Sequence, residues 1–246
     1  MFGGDCLKYF GEGLSEKHKE LNSIIRKKDY IDEAKEIFLY IHAELNQSSV
    51  YGTSKNEVDL LLEDLKDYEY AIMPGSKDET IAWVIWHIAR IEDLTMNLLV
   101  NRGEQVFSRE WQERLNVGIK DTGNALTDEE IIKLSSEINI TQILEYRKAV
   151  AIRTREIVKS LGQEDMKRNI DKKDLDRIYN AGGVTGQEDS IWLLDFWGGK
   201  DVAGILLMPP TRHVILHLNS CCRWKEEIRT RGRYYMIGSG GKRSEG

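Results

Sequence analysis

Residues 78–100 read DETIAWVIWHIARIEDLTMNLLV. Apolar side chains recur through this stretch with the 3.6-residue period of an α-helix, and no proline interrupts it. Because the stretch follows Pro74 and Gly75, we expect the helix to open there, with Asp78 and Glu79 in its first turn, where the helix dipole favours negative charge. A helix of this length measures about 35 Å. The stretch therefore predicts one long helix and a helical fold around it.

Three further stretches show the same period over a similar length, at about 31–45, 141–161 and 210–230. The helix at 141–161 is expected to stop at Gly162, because glycine favours the backbone conformation that ends many helices. The helix at 210–230 is expected to start at Pro210, since the first turn of a helix does not need the N–H group that proline lacks. Together with 78–100, these stretches predict the four main helices of a bundle.

The connections between these helices also have mainly helical patterns. A polar helix is expected at 15–28, and another near 121–136, where Thr127 and Glu130 fit a capping box. Alternating apolar and polar residues bounded by turns are nearly absent, so no sheet is predicted. The sequence indicates one all-α domain over 1–235, a four-helix bundle with additional short helices in long connections, followed by a disordered tail at 236–246.

Composition excludes several classes of protein. The 246 residues include 35 Lys and Arg against 41 Asp and Glu, a net charge of −6, which argues against a basic nucleic-acid-binding protein. The longest apolar run, 202–208, is far shorter than the roughly 18 residues that span a bilayer. Three cysteines, of which Cys221 and Cys222 are adjacent, do not predict a disulfide framework. We expect a cytoplasmic protein that binds neither nucleic acid nor membrane.

His213 and His217 are the first candidates for a functional site. Four residues apart on a helix, they lie about 40° apart around its axis and one turn above each other, so both imidazoles can reach one metal ion. Apolar neighbours indicate that this helix face is buried. A catalytic site of this kind needs a third ligand from another helix.

His87 is the candidate for that third ligand, because it lies near the middle of the predicted helix 78–100 among apolar residues. Two interpretations stay open from the residues alone. His87 is either a metal ligand facing His213 and His217 across the bundle, or a core histidine that donates a hydrogen bond to a backbone carbonyl.

Residues 86–93, WHIARIED, on one long helix, followed far downstream by His213-x-x-x-His217 on the last helix, resemble the DinB superfamily of metal-binding four-helix bundles. This superfamily includes YfiT-like metal-dependent hydrolases and bacillithiol- and mycothiol-dependent transferases. The resemblance covers about 31–231, and the chain departs from the small members in its extended N-terminus and longer connections.

The resemblance implies an up-down-down-up bundle in which His87, His213 and His217 hold a divalent metal ion. Zn or Ni is the expected ion, with Fe or Mn as alternatives, and a homodimer is the expected assembly. The resemblance does not fix the reaction, and no catalytic residue beyond the ligands is identified.

Four residues near this triad each have two interpretations. His42 is either a second base or ligand beside the metal, or a partly buried histidine at a helix end. Arg90 and Asp93 either bind a substrate anion and orient a ligand, or form a structural ion pair. Cys221, one turn after His217, is either a fourth ligand or redox-sensitive thiol, or a small buried residue.

The leading functional hypothesis is a metal-dependent enzyme that activates water or a low-molecular-weight thiol against a small-molecule electrophile. Hydrolysis and thiol S-transfer both fit the residues. The alternative is a non-catalytic metal- or ligand-binding protein of a stress response.

Overall fold

The computed structural model describes Phe10, residues 13–74 and residues 79–239, with side chains described up to residue 230. This part of the chain is helical and contains no β-strand, only an isolated bridge between Asn169 and Asp201. Its α-helices are α1 (Leu14–Ile24), α2 (Ile31–Glu44), α3 (Glu57–Leu62), α4 (Asp67–Tyr70), α5 (Ile81–Asp93), α6 (Arg109–Leu115), α7 (Asp128–Glu137), α8 (Ile140–Ser160), α9 (Lys172–Asn180), α10 (Glu188–Gly198), α11 (Val202–Leu207) and α12 (His213–Ser239). Two π-helical segments, Leu94–Val100 and Met208–Arg212, follow α5 and precede α12.

Helix α5 lies at the centre of the molecule. It packs against α8 and α12, and α2 packs against α8 in turn. All thirteen residues of α5 are buried, including the polar residues His87, Arg90, Glu92 and Asp93, which need hydrogen-bond partners inside the protein. None of the helices in the described part of the chain combines the length and the apolar content needed to cross a bilayer.

The start of α5 differs from the sequence prediction. The helix begins at Ile81 because Thr80 caps it, with the Thr80 hydroxyl accepting a hydrogen bond from the Trp83 backbone N–H at 3.1 Å. Glu79 therefore precedes the cap, and no acidic residue lies in the first turn. Asp78 lies outside the described residues. The Thr80 hydroxyl, and not a carboxylate of the first turn, therefore interacts with a free N–H group at the start of the helix.

The prediction that a glycine conformation at Gly162 ends the helix is also wrong. Helix α8 ends at Ser160, and Leu161 already has an extended backbone with φ −66° and ψ 137°. Gly162 is not in the left-handed conformation that a glycine stop uses. Instead, the Lys35 ammonium donates a hydrogen bond to the Leu161 carbonyl at 3.1 Å, and Asp165 accepts one from the Gly162 N–H at 2.8 Å.

The predicted start at Pro210 is corrected by the π-helical segment Met208–Arg212. Pro209 and Pro210 both lie within this segment, which joins α11 to α12 without a loop. Helix α12 thus begins at His213, three residues later than predicted. At the other end its backbone is helical to Ser239, past the predicted start of the tail at 236, and residues 240–246 lie outside the described residues.

The capping box before α7 is confirmed. The Glu130 N–H donates to the Thr127 hydroxyl at 3.3 Å, and the Thr127 N–H donates to the Glu130 carboxylate at 2.9 Å. Helices α2 and α8 lie within one residue of the predicted 31–45 and 141–161.

Candidate metal centre

The structure brings His87, His213 and His217 together between α5 and α12. One ring nitrogen from each lies within 4.8 Å of the others. The centroid of the His87 ring lies 5.0 Å from the ring centroid of His213 and 5.0 Å from that of His217. The ring centroids of His213 and His217 are 4.6 Å apart. Three imidazoles from two packed helices therefore converge on one point.

His87 has a fixed tautomer. Its Nδ1 lies 2.9 Å from the Thr122 carbonyl oxygen, and since a carbonyl only accepts, Nδ1 carries the proton and donates. Its Nε2 then presents a lone pair, and this atom lies 3.0 Å from Nε2 of His213. A hydrogen bond that orients the far side of a ring is typical of metal-ligating histidines.

The bond to Thr122 is one of five hydrogen bonds that four side chains of α5 make with a single loop segment, residues 120–123. Side chains at 83, 86, 87 and 90 lie on one face of α5, since they are spaced by three and four residues. Each donates to a carbonyl of this segment at 2.8 to 3.1 Å: Trp83 to Gly123, Trp86 to Asp121, His87 to Thr122 and Arg90 to Lys120. The loop segment is therefore held along the helix, and the His87 ring is held with it.

Trp83 also restrains the His87 ring directly. The two rings stack with centroids 4.5 Å apart and planes inclined by 12°. Trp83 is itself fixed by its bond to Gly123, which has a positive φ of 78°. A Cβ atom at Gly123 would lie 2.8 Å from Trp83 Nε1, so this position requires glycine on both conformational and packing grounds.

Burial keeps all three imidazoles neutral. Loss of hydration lowers the pKa of His87 to about 3, assisted by His217, and lowers the pKa of His217 to about 4. Burial also lowers the pKa of His213 well below its ordinary value, with His87 as the next cause. Neutral imidazole is the form that binds metal, so the cluster is ready to ligate at neutral pH.

The surroundings of the two His213 ring nitrogens also fit metal binding. Its buried Nδ1 has no hydrogen bond of ordinary geometry to any described residue, although the Pro209 carbonyl one turn earlier acts on its pKa. Two imidazole nitrogens that bind one tetrahedral Zn²⁺ ion at about 2.1 Å each lie about 3.4 Å apart, a few tenths of an ångström more than the 3.0 Å between the Nε2 atoms of His87 and His213. The donor set and its spacing fit a divalent transition metal.

The triad opens on a cavity of about 360 Å³. Most of its walls are apolar or aromatic, from Trp83, Ile91, Trp192, Leu193, Phe196, Trp197, Met208 and Pro209. Its polar lining consists of the three histidines, Asn124 and Glu79. A mainly apolar cavity with few convergent polar groups is the usual form of a small-molecule site.

Glu79 is the lining residue that sequence reasoning did not identify. Its carboxylate oxygen lies 3.9 Å from Nδ1 of His217, and the side chain is partly exposed. The sequence assigned Glu79 to a helix turn, whereas its position just before the Thr80 cap turns it toward the cavity. The only sequence signal was its place two turns before His87.

His42 and Cys221 lie outside the set of described residues that line the cavity. His42 is fully buried and bonds through its two ring nitrogens to the Glu92 carboxylate at 2.8 Å and the Tyr51 hydroxyl at 2.6 Å. Cys221 is fully buried, and burial raises the pKa of its thiol well above the ordinary value. His42 is thus occupied by other partners, and Cys221 stays a protonated thiol.

Arg90 and Asp93 form a buried ion pair, with Arg90 Nη1 donating to Asp93 Oδ2 at 3.0 Å. Neither residue is among those that line the cavity in the described part of the chain. The structure therefore places them in the helix packing, where Arg90 also holds the carbonyl of Lys120.

His18 is less exposed than its charged sequence neighbours indicate. It is half-buried, and its Nε2 lies 2.8 Å from the Leu207 carbonyl at the end of α11. The ring therefore joins α1 to the segment that leads into α12.

Comparison with sequence models of protein families finds a match to the DinB superfamily. The sequence model of the DinB superfamily matches residues 52–187, more than half of the chain. No curated protein matches the chain. The matched region includes His87 and ends before α10 and α12, so the places of His213 and His217 in the cluster rest on the geometry described above.

Proposed function

The chain belongs to the DinB superfamily, and from this premise we propose that it is a metal-dependent enzyme with a three-histidine centre. The observation that carries the proposal is the convergence of His87, His213 and His217, all held neutral by burial, at the wall of an apolar cavity. Sites that hold metal for structure alone are closed by four protein ligands. Three ligands beside a cavity are typical of a centre at which a small molecule reacts.

A divalent ion bound here would lower the pKa of a water molecule or a thiol, so that hydroxide or thiolate forms near neutral pH. Both reactions proposed from the sequence, hydrolysis and thiol S-transfer, use such a nucleophile. Imidazole ligands suit Zn and Ni, and also Fe(II).

The residues of the chain supply orientation and exclusion of water. The Thr122 carbonyl and the stacked Trp83 ring hold His87 in one tautomer and one orientation. Glu79 lies beside Nδ1 of His217, where a carboxylate can orient the ring. The apolar walls reduce the water content around the histidines, which strengthens electrostatic interactions there.

We assign the core of the fold to the up-down-down-up bundle of this superfamily, with α2, α5, α8 and α12 as its four helices. The packing of α5 against α8 and α12, and of α2 against α8, supports this assignment. The short helices then lie in the connections.

The decisive experiment measures metal in protein purified without an affinity tag. We expect close to one equivalent of a transition metal, and an increase in thermal stability when Zn²⁺ or Ni²⁺ is added to the chelator-treated protein. His213→Ala should lose the metal and keep the helical circular dichroism. His18→Ala removes a histidine outside the triad and serves as the matched control, which should keep the metal.

Wild-type protein with less than about a tenth of an equivalent of metal, and no stabilisation by added metal, would contradict the proposal. Stoichiometric metal in His213→Ala would show that other residues are the ligands. Bound metal without turnover of any ester, amide or thiol acceptor would favour the non-catalytic metal-binding alternative.

A further inference from the structure

One wall of the cavity beside the triad consists of apolar and aromatic side chains from a single helix, α10. Helix α10 contributes Trp192, Leu193, Phe196 and Trp197, which lie on one side of the helix because their spacings are one, three, four and five residues. Leu193 and Trp197 are buried, whereas Trp192 is 47% exposed although it lines the cavity. An aromatic side chain that is half in water and half in a cavity presents a ring surface that a bound apolar group would cover.

The outer aromatic pair is already held in place. The Trp192 and Phe196 rings meet edge to face with centroids 5.6 Å apart. The Trp192 Nε1 donates a hydrogen bond to the Asp189 carbonyl at 3.0 Å, which fixes the indole. Preorganised aromatic surface of this kind binds flat apolar groups with little loss of side-chain entropy.

The charge of the cavity is the second observation. Among the described residues that line it, Glu79 carries the only full charge, and none is Lys or Arg. The Lys200 ammonium, two residues after α10, lies 4.0 Å from the centroid of the Phe196 ring and is not among the lining residues. A carboxylate placed against the apolar wall would be desolvated, with no cation among the described lining residues and with Glu79 in the same cavity.

We propose that this cavity binds an uncharged molecule with a flat, mainly aromatic body, and selects against carboxylates at the α10 wall. The proposal rests on the proposed function in one respect only, that the reacting group of this molecule points to the triad. It also favours water or an uncharged thiol as the nucleophile over a thiol that carries carboxylates, since those would lie beside the same wall.

The test uses two probes of equal shape, 2-naphthamide and 2-naphthoate, which differ in charge. Binding to the metal-free protein is measured by calorimetry and by quenching of tryptophan fluorescence. We expect the amide to bind about tenfold more tightly than the carboxylate or better, since burial of an unpaired charge costs more than about 1.4 kcal/mol. Phe196→Ala should weaken amide binding about tenfold, as truncation of an aromatic contact residue does.

Two variants separate the causes. Glu79→Gln removes the charge at constant shape, so it should strengthen carboxylate binding and reduce the preference for the amide. Tyr179→Ala removes an aromatic ring that is 50% exposed on α9 and outside the cavity lining, and should change neither affinity. Equal or tighter binding of the carboxylate, absence of amide binding, or an amide affinity that Phe196→Ala leaves unchanged would each overturn the proposal.

Because these measurements use metal-free protein, they stand apart from the metal analysis. A protein that takes up no metal and still prefers the amide would refute the proposed enzyme and support the cavity assignment. A protein that binds metal and shows no preference for the amide would support the proposed metal centre and refute the cavity assignment.

Discussion

Helix α5 carries two sets of buried polar groups that differ in their partners. Around Arg90 and Asp93, fully buried, the side-chain groups are matched. Asp93 accepts from Arg90, from the Tyr146 hydroxyl at 2.6 Å, and from the backbone N–H groups of Val106 and Phe107, both at 2.8 Å. One turn earlier, His87 presents the lone pair of Nε2 to another imidazole nitrogen at 3.0 Å.

The difference separates a structural role from a ligand-binding role. Buried polar groups are expensive unless they are hydrogen-bonded, so a saturated set needs no further partner. The triad instead brings three neutral imidazoles together, with the lone pair of His87 Nε2 directed at Nε2 of His213, and a metal cation would satisfy such a set. Both sets share one helix, so the comparison can be tested by changing one set at a time.

The largest effect is expected from the saturated set. Asp93→Ala leaves the Arg90 guanidinium buried without its counter-ion and should lower the free energy of unfolding by about 3–5 kcal/mol. Urea unfolding of purified protein measures this change. Tyr146→Phe, which removes hydrogen bonds to both Arg90 and Asp93, should cost about 1–2 kcal/mol and remain folded if Asp93→Ala does not.

Zinc stoichiometry of Tyr146→Phe should equal that of the wild type, because the hydrogen bonds of Tyr146 go to Arg90 and Asp93 and not to the three histidines. A loss of metal in Tyr146→Phe without unfolding would remove the distinction between the two sets.

The triad should make the metal-free protein sensitive to acid. In the folded state the pKa values of His87 and His217 are lowered to about 3 and about 4, and that of His213 is also lowered. The unfolded chain therefore binds more protons than the folded one below about pH 6.5, and stability falls as the pH decreases. Between pH 7 and pH 5.5 the three histidines together should remove about 4 kcal/mol, or a little over 1 kcal/mol each.

Urea unfolding at these two pH values, with a chelator present, measures the effect. The variant His217→Ala should lose about a third less stability over the same interval than the wild type. Equal losses in the variant and the wild type would show that the imidazoles are not buried as neutral groups.

Glu79→Gln tests whether the acid at the cavity orients His217. Loss of a carboxylate that supports a ligating histidine typically weakens metal binding by 10- to 100-fold, or about 1.4–2.7 kcal/mol. Competition with a chromophoric zinc chelator gives the affinity. Glu110→Gln, an exposed carboxylate on α6, is the matched control, and an unchanged affinity in Glu79→Gln would assign Glu79 to substrate contacts alone.

The smallest effect is expected from Gly123→Ala. Its positive φ and the close Trp83 Nε1 atom should cost about 1–2 kcal/mol of stability and loosen the 120–123 segment that holds His87. Gly186→Ala, where a Cβ atom meets nothing within 4 Å, is the control. Thermal unfolding and zinc affinity should both decrease in Gly123→Ala, and a change in neither would show that the segment does not restrain the ring.

The sequence was sufficient for the helices whose ends are set by local rules. Helices α2 and α8 were predicted within one residue, and Thr127 was recognised as a cap, because apolar period and capping chemistry are local properties. The helical spacing of His213 and His217 predicted that these two would lie together, and the resemblance to the DinB superfamily implied His87 as the third member of the cluster.

The remaining features depend on contacts between distant residues. His42 bonds to Glu92, fifty positions away, and His87 bonds to the carbonyl of Thr122, in a loop whose path no local pattern fixes. Glu79 was misplaced because two local rules competed and the Thr80 cap prevailed over the helix dipole. The hydrogen bond to a backbone carbonyl, one of the two interpretations of His87, is present at Nδ1, and the metal-ligand interpretation stays a prediction for Nε2, which faces the triad.

The π-helical turn Met208–Arg212 determines how α12 is rotated about its own axis relative to α11. A π turn holds one residue more than an α turn, and each residue of a helix advances the chain by about 100° around the axis. Deleting one residue here would turn α12 by that angle relative to α11. Either His213 and His217 would swing out of the cavity together, or Val214 and Leu218 would leave the core. The rotation of α12 about its axis thus fixes both which residues face the cavity and which face the core. The extra residue of this π turn gives α12 that rotation relative to α11.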